Sequence, residues 1–520
     1  MIHIRKIINH PHFIPWILFI VFTTIYFSST VGGMNSLDGS QYSLTQALVE
    51  EHTFKIDSFM KWTYNVDYSL SNHHFYADRD PGLSFLAIPF YWLAKNIYIF
   101  ANKPYGNINI DTDSIIQALT YITSAIICAL GLLAFYQSSL YFVKSKKIAF
   151  FTAFIGGLGT LMWKYSSGFY REPVFTSLLF ISFYFLFISE KYSFNDRKKI
   201  LFLSGMIVAI SIFVDYSKVF ILPIYYLFLV LNKEIKRQLI IYFSAGLVIF
   251  ILLIIFYNIS AFNNIFANPH AYHAYLKWMR IPINIFQTPL ISSLVTNLFS
   301  NSPIQRNILS FFWKNPDISY QMGAEWATIW TYKGIFIQSP ILIFAILGWI
   351  EFVKKFTHKA LLLLAIGIIN LLINAKLTVF WAGNNYDTKY FLPTVLIFLL
   401  GLIFIANKLN KKRINIYQYL IFIIIFILSI ISLYNGWYST LTSFAPHVSG
   451  EHRFTFEQLQ QPVFALTNIK TNLWLLFINT FPNIYNIHLL FLFYFPLCFI
   501  IYLLIFQRKF IISVFSKHKK

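Results

Sequence analysis

The residues best suited to chemistry in this chain are acids and bases set close to the ends of long apolar runs. Asp38 stands a few residues beyond the first such run, in Leu37-Asp38-Gly39-Ser40-Gln41-Tyr42. A carboxylate placed there lies at the depth of lipid phosphates and can accept a proton from a hydroxyl. Its spacing to Gln41, with Leu44, Ala47 and Leu48 following, also reads as a capping box opening a short helix, and the two roles are compatible. The segment Asp78-Arg79-Asp80-Pro81-Gly82 adds a cation. A guanidinium fork matches phosphate oxygens, while the plainer role for Arg79 is an ion pair with its acidic neighbours. In Arg171-Glu172-Pro173 the proline suits a first helical turn and Glu172 complements the helix dipole. Glu172 also falls on the same face as Asp38, where it can meet a sugar or an acceptor. Lys389 follows a segment of aromatics and amides, Phe380 to Thr388, and precedes Tyr390-Phe391-Leu392-Pro393. It reads either as a snorkelling lysine in an interfacial belt or as a second cation for phosphate. Asp215 and Lys218 share a short turn and read as a mutual ion pair. His73 and His74 are adjacent, with no third ligand at a metal-binding spacing. A base and a cation at headgroup level suggest chemistry on a lipid-phosphate substrate.

The elements that must position these residues are membrane helices. Of 520 residues, 57% are hydrophobic and 12% charged, against about 25% charged in a soluble domain. Segments of this kind satisfy their own backbone hydrogen bonds as helices, so the expected fold is an all-α polytopic membrane protein. Spans are read near 12–31, 114–142, 148–164, 173–189, 200–214, 218–232, 239–258, 335–352, 360–375, 391–407, 415–433 and 486–506, about twelve in all. The net charge of +21 does not point to nucleic acid, because the basic residues cluster in short loops between spans. With the N-terminus inside, cytoplasmic segments hold 24 of the 41 basic residues and 4 of the 20 acidic ones. The other side holds the remaining 16 acids. Residues 81–100 are apolar enough to span, but Pro81, Pro89, Tyr91, Trp92 and Lys95 suit a helix lying in the outer interface or re-entering it. Three exterior segments are long, 32–113, 259–334 and 434–485, and are expected to carry short helices packed on the bundle. Cys128 and Cys498 lie within apolar runs and offer no disulfide framework. The first run follows Arg5 and Lys6 without a small-residue cleavage pattern, so it reads as a retained span.

At these residues the chain resembles the polyprenyl-phosphate-dependent integral-membrane glycosyltransferases of GT-C fold. The likeness is to the bacterial branch of protein mannosyltransferases, lipid A aminoarabinose transferases and lipopolysaccharide-core galacturonosyltransferases. Asp38 matches the essential acid of their first exterior loop, and Tyr42 an aromatic that often follows it. Asp78-Arg79-Asp80-Pro81-Gly82 before an apolar helix matches a second turn, and Lys389-Tyr390-Phe391-Leu392-Pro393 a late motif before a span. Where such proteins often carry a second acid directly after the first, and an arginine nearby, this chain has Gly39 and Gln41. A role for that second acid, including metal coordination, is therefore not carried over.

The resemblance implies a GT-C-like module over residues 1–410, with residues 411–520 adding C-terminal spans and the 434–485 loop. It implies transfer of a sugar from a polyprenyl-phosphate donor to a hydroxyl of a glycan, lipid or protein acceptor, on the exterior face of the membrane. The bacterial cytoplasmic membrane is the expected location. Asp38 is the expected base, and Arg79, Lys389, Glu172, Tyr42, Asp80 and Tyr390 the expected substrate-binding set. No cofactor is required, and metal dependence is open. A lipid-borne donor accounts for the lack of a nucleotide-binding motif. The alternative is a multi-pass transporter or a lipid or glycolipid flippase, which the span count fits equally. Transporters concentrate charge and broken helices at mid-membrane, whereas here acids gather at one surface. Reporter tags after Ser40, Asn263 and Gly450 are expected outside, and tags near Lys146, Asn195 and Asn410 inside. Opposite sides for Ser40 and Gly450 would break this topology.

Overall fold

The computed structural model describes residues 13–30, 36–101, 112–232, 235–314, 332–382, 387–409 and 416–442. The chain is a bundle of helices joined at one end by longer segments. Its helices, in order, are α1 (Phe13–Ser28), α2 (Ser36–Gln46), α3 (Gly82–Ala101), α4 (Thr112–Thr120), α5 (Ile122–Val143), α6 (Lys146–Leu158), α7 (Met162–Ser166), α8 (Arg171–Ser189) and α9 (Phe194–Val214). They continue as α10 (Ile221–Leu231), α11 (Ile240–Phe262), α12 (Pro282–Ile285), α13 (Leu290–Phe299), α14 (Leu342–Lys355), α15 (Thr357–Lys376), α16 (Leu392–Leu399), α17 (Leu402–Leu409) and α18 (Ile416–Thr442). Every expected span up to residue 433 coincides with one or two of these helices. The expected span 486–506, Cys498, and most of the 434–485 loop lie outside the described residues.

Among the described residues, six helices are long and apolar enough to cross a membrane, within Ile116–Val143, Arg171–Ser189, Arg237–Phe262, Thr357–Lys376, Lys389–Leu409 and Ile416–Trp437. Their burial differs sharply. Of the most apolar stretch of α8, 78% is buried inside the protein, against 22% for α11 and 17% for α18. An apolar helix so little covered by its own chain is solvated by lipid. The chain is an integral membrane protein of all-α, polytopic architecture.

Close helix contact at the centre depends on small residues, as lipid offers no hydrophobic drive for helices to associate. A Cβ on Gly205 of α9 would stand 2.1 Å from the Phe243 carbonyl oxygen of α11, so the backbones meet directly there. Ser182 of α8 and Ser204 of α9 hydrogen-bond at 3.0 Å, and the Tyr225 hydroxyl of α10 donates to Ser182 at 3.1 Å. At one end, Glu190 accepts from Tyr141 at 2.9 Å and Asn232 at 3.0 Å and pairs with Lys359 at 2.7 Å. Glu190 and Lys359 belong to loops expected in the cytoplasm, and Tyr141 and Asn232 to the ends of the spans beside them.

Two short antiparallel hairpins lie in the long exterior segments. β1 (Ser69–Ser71) pairs with β2 (His74–Tyr76), register Leu70 to Phe75. β3 (Asn301–Ser302) pairs with β4 (Tyr332–Lys333). The first hairpin turns through Asn72 and His73, both with positive φ, the geometry that two-residue hairpins favour. α3 is a continuous helix that includes Pro89 and packs against α2, α4 and α9.

Candidate functional site

The segments expected on the exterior converge on one cavity of about 420 Å³. Asp38, Arg79, Glu172, Lys389 and Tyr390 all line it. Tyr42 and Asp80 do not, and support the wall from behind.

Asp38 lies in the first turn of α2, which has begun by Ser36, so it is not the helix cap that its spacing to Gln41 suggested. In the first turn its carboxylate still faces the favourable end of the helix dipole. The next residue explains the departure from the two-acid pattern. A Cβ on Gly39 would stand 1.7 Å from the carbonyl oxygen of Trp62, so the following 3₁₀ segment packs directly on this backbone. α2 is also stitched to the second turn. The Asp78 N–H donates to Ser40 Oγ at 3.1 Å, and Ser84 Oγ donates to the Gln41 carbonyl at 2.8 Å. Asp38 and Arg79 are thereby held in one frame. Tyr42 is fully buried, edge-on to Trp62 at 5.5 Å and to Tyr91 at 5.6 Å, and sets the tilt of α2.

Arg79 sits in a ring of partners. Its guanidinium lies 3.2 Å from Asp67, 3.0 Å from Asp78 and 3.0 Å from His270 Nδ1. Burial, Arg79 and Arg171 hold the His270 imidazole well below its usual range, so it is neutral and accepts from Arg79. Burial raises Asp78, opposed by Arg79. Burial also opposes ionisation of Asp67, but His273, Arg79 and Ser36 outweigh it and keep that carboxyl low. His273, fully buried, places Nε2 3.6 Å from both carboxylates. The candidate ligand atoms of Asp67, Asp78 and His273 lie within 4.8 Å of one another, and among the described residues this trio could hold a metal ion. The Arg79 guanidinium already supplies positive charge beside both acids. His73 and His74 play no part: His73 is exposed in the hairpin turn, and His74 bonds Asp57 at 2.8 Å and Lys55 at 2.9 Å.

Asp80 bridges three elements. It pairs with Arg171 at 2.7 Å, and accepts the Tyr216 N–H at 3.1 Å, joining the second turn to the start of α8 and the turn after α9. One residue on, Glu172 lies 3.5 Å from Lys389 Nζ. That ammonium is surrounded by the rings of Tyr170, Tyr390 and Tyr165, at 5.1, 5.3 and 5.9 Å. Beneath it Asp387 accepts the Lys389 N–H at 3.1 Å and binds Lys164 and the Tyr165 hydroxyl. Asp215 and Lys218 form the expected ion pair, at 3.9 Å, with both side chains buried. Asp215 also takes the Ser217 hydroxyl at 2.6 Å.

Burial raises the Asp38 carboxyl well above the usual range; Lys389 and Arg79 pull it down, and Glu172 and Asp67 push it up. The same cavity is also lined by the apolar side chains of Leu276, Trp278, Met279, Phe286, Ile373 and Leu377. The cavity thus matches a molecule with an anionic head and an apolar tail.

The sequence matches no family model, and comparison with curated proteins finds no relative. A solved structure shares the fold. The archaeal oligosaccharyltransferase AglB from Archaeoglobus fulgidus, in complex with an inhibitory peptide and a dolichol-phosphate, aligns at TM-score 0.50 with 11% identity. The alignment covers 81% of this chain and 55% of that one. ArnT from Cupriavidus metallidurans bound to undecaprenyl phosphate aligns at TM-score 0.43 with 13% identity, over 78% of this chain and 62% of that one. The chain spans little more than half the length of either protein. The fold shared with AglB agrees with the GT-C fold that the resemblance in the sequence implied.

Gly39→Asp is expected to destabilise the protein by about 1–3 kcal/mol through overpacking against Trp62, with loss of function following from displacement of α2. The check is thermal unfolding in detergent; an unchanged midpoint would refute the close contact as a constraint.

Proposed function

We propose that the protein is a glycosyltransferase that moves a sugar from a polyprenyl-phosphate donor to a hydroxyl of a glycan, lipid or protein acceptor on the exterior face of a bacterial cytoplasmic membrane. The observation that carries this reading is the convergence of Asp38, Arg79, Glu172 and Lys389 on one cavity that apolar side chains also line. The dolichol-phosphate in AglB, a protein of the same fold, supports a lipid phosphate as the ligand. A transporter or flippase is less well supported, since the charges line a cavity built from exterior segments rather than mid-membrane breaks.

In this reading the acceptor oxygen attacks the anomeric carbon from the face opposite the phosphate. The bond from that carbon to the phosphate oxygen breaks, the acceptor proton passes to Asp38, and the polyprenyl phosphate leaves with both electrons of the broken bond. Arg79 and Lys389 stabilise the negative charge that grows on the leaving oxygen in a partly dehydrated site. Glu172, Tyr390 and the neighbouring tyrosines orient the sugar.

Asp38→Asn keeps size and hydrogen bonding while removing the proton acceptor. It is expected to lower transfer by about 10²–10⁴-fold with donor binding and thermal stability near normal. Glycosyl transfer by reconstituted protein measures it, and near-normal transfer would leave the transporter reading ahead.

The pH dependence carries a sign. A base whose pKa is raised is protonated, and inactive, until pH exceeds that value, so activity falls as pH drops through a limb above the usual carboxylate range. Lys389 lowers Asp38 and Glu172 raises it. Lys389→Met is therefore expected to move the acid limb to higher pH, and Glu172→Gln to lower pH. Limbs at one pH in all three proteins would show that Asp38 does not set it.

A further inference from the structure

The helix α13 carries its polarity the wrong way round for contact with water. Ile291, Val295 and Phe299 recur every four residues and so share one face. That face points outward: the three are 78%, 56% and 57% exposed. The side turned to the protein is polar. Ser293 and Asn297 are fully buried, Asn297 Nδ2 donates to the Ser293 carbonyl at 2.8 Å, and Asn297 Oδ1 accepts the Tyr332 hydroxyl. A helix on an aqueous surface has the reverse arrangement. The apolar exposure extends upstream to Ile281, Ile283 and Phe286. An exposed apolar stretch of this kind marks a surface that meets something other than water.

Both ends of α13 are held at the end of the bundle that contains the cavity. At its start the Thr288 hydroxyl donates to the carbonyl of Leu377, a cavity residue just beyond α15. At its finish the Ser300 carbonyl accepts the Gly334 N–H at 2.8 Å. Two residues before Gly334, the Tyr332 ring packs edge-on against Phe380 at 5.8 Å, again just beyond α15. The helix therefore lies across the bundle end rather than through it. It packs on α15, a helix long and apolar enough to cross a membrane, in which Ile368 and Leu372 are themselves exposed. Charge agrees with this placement. Between Asn263 and Lys314 the sequence has the bases Lys277, Arg280, Arg306 and Lys314 and no acid, and all four are exposed.

We propose that the segment 281–299 is seated in the lipid surface at the cavity end of the bundle. In this arrangement α13 lies in the plane of the interface with its outward face among acyl chains, and Lys277, Arg280 and Arg306 meet anionic headgroups of the bulk lipid. This goes beyond the proposed function and holds whichever reaction the cavity serves. It also sets where the cavity stands. The Thr378 N–H donates to the Ile285 carbonyl at 2.8 Å and the Gln287 N–H to Thr378 Oγ1 at 3.0 Å, and Ile285 and Phe286 line the cavity. Lipid contact along 281–299 thus fixes the height of that rim in the bilayer.

The test places a fluorophore on Val295→Cys in the full chain with Cys498→Ala; Cys128 is buried from the reagent. Ile291→Cys carries the same test should that variant not fold. The protein is reconstituted in vesicles of phosphatidylcholine and phosphatidylglycerol in equal parts. Lipid bearing a shallow nitroxide is expected to quench the label strongly and aqueous acrylamide only weakly. A label on Asn72→Cys, in the exposed hairpin turn, is expected to show the opposite. The nitroxide is expected to quench more when carried on phosphatidylglycerol than on the same fraction of phosphatidylcholine, and Lys277→Gln with Arg280→Gln and Arg306→Gln to remove that difference. Strong quenching by acrylamide at position 295 would show a face in water and overturn the proposal. Protection from both quenchers would show a face covered by protein, a second copy or another chain, and would overturn it too. Equal quenching by the two labelled lipids in the protein with its bases intact would overturn the assignment to anionic lipid.

Discussion

A charge taken out of water into the end of an apolar bundle survives only with a partner. That constraint shapes the exterior half of this molecule. The Asp80–Arg171 pair joins the first exterior segment to the start of α8, and the Tyr216 N–H brings the turn after α9 to the same carboxylate. Breaking a buried pair by removing one partner typically costs about 3–5 kcal/mol, because the other charge is left desolvated. Pairs of this kind therefore fix where the loops can sit. Asp80 lies behind the cavity wall for this reason: its role is to locate Arg171 and Glu172 rather than to face a ligand.

A second set of pairs fixes Lys389. Lys164 and the Tyr165 hydroxyl hold Asp387, and Asp387 in turn receives the backbone of Lys389. The ammonium of Lys389 then has tyrosine faces on several sides and Glu172 at one end. An ammonium over aromatic faces is attracted without being neutralised. Glu172 is thus pinned through Asp80 and Arg171, and Lys389 through Asp387, and Asp38 stands on a helix that Gly39 lets pack flush against Trp62.

The spans were legible in the sequence because a membrane demands long apolar runs, and the grouping of the loops into two sets because basic residues collect in one of them. The same two signals placed Asp38, Arg79, Glu172, Lys389 and Tyr390 on one surface, and they line one cavity. What stayed hidden was partnership. His270 meets Arg79, and Lys164 meets Asp387, across stretches of chain that no local pattern spans. Lys164 ends an expected span and Asp387 falls in the segment before Lys389, 223 residues away, and only the folded helices bring them together. His273 carries no local signal either, since its two carboxylates lie on a different exterior segment. The cap assigned to Asp38 failed for a smaller reason. A capping box is defined by two residues three apart, and α2 has already begun at Ser36. Asp215 and Lys218, close in sequence, read as partners and are an ion pair, and Ser217 adds a bond to the acid and Asn370 of α15 one to the base, which the sequence did not show.

Asp38 faces opposing demands. Burial favours its protonated form, and a buried acid that keeps its proton cannot act as a base. An anionic substrate head brought into the same cavity would raise its pKa further. The cations along the wall consequently have two functions in the proposed reaction. They attract the phosphate, and they offset its field at Asp38 so that the carboxylate remains able to accept a proton. Lys389 is suited to both, since it heads the opposing charges that act on Asp38 and lies on the wall where the head group would enter. Glu172 tempers it, holding the ammonium at 3.5 Å while adding its own negative field at Asp38. The site is then a balance in which the arrival of the phosphate and the ionisation of the base depend on the same few positive charges.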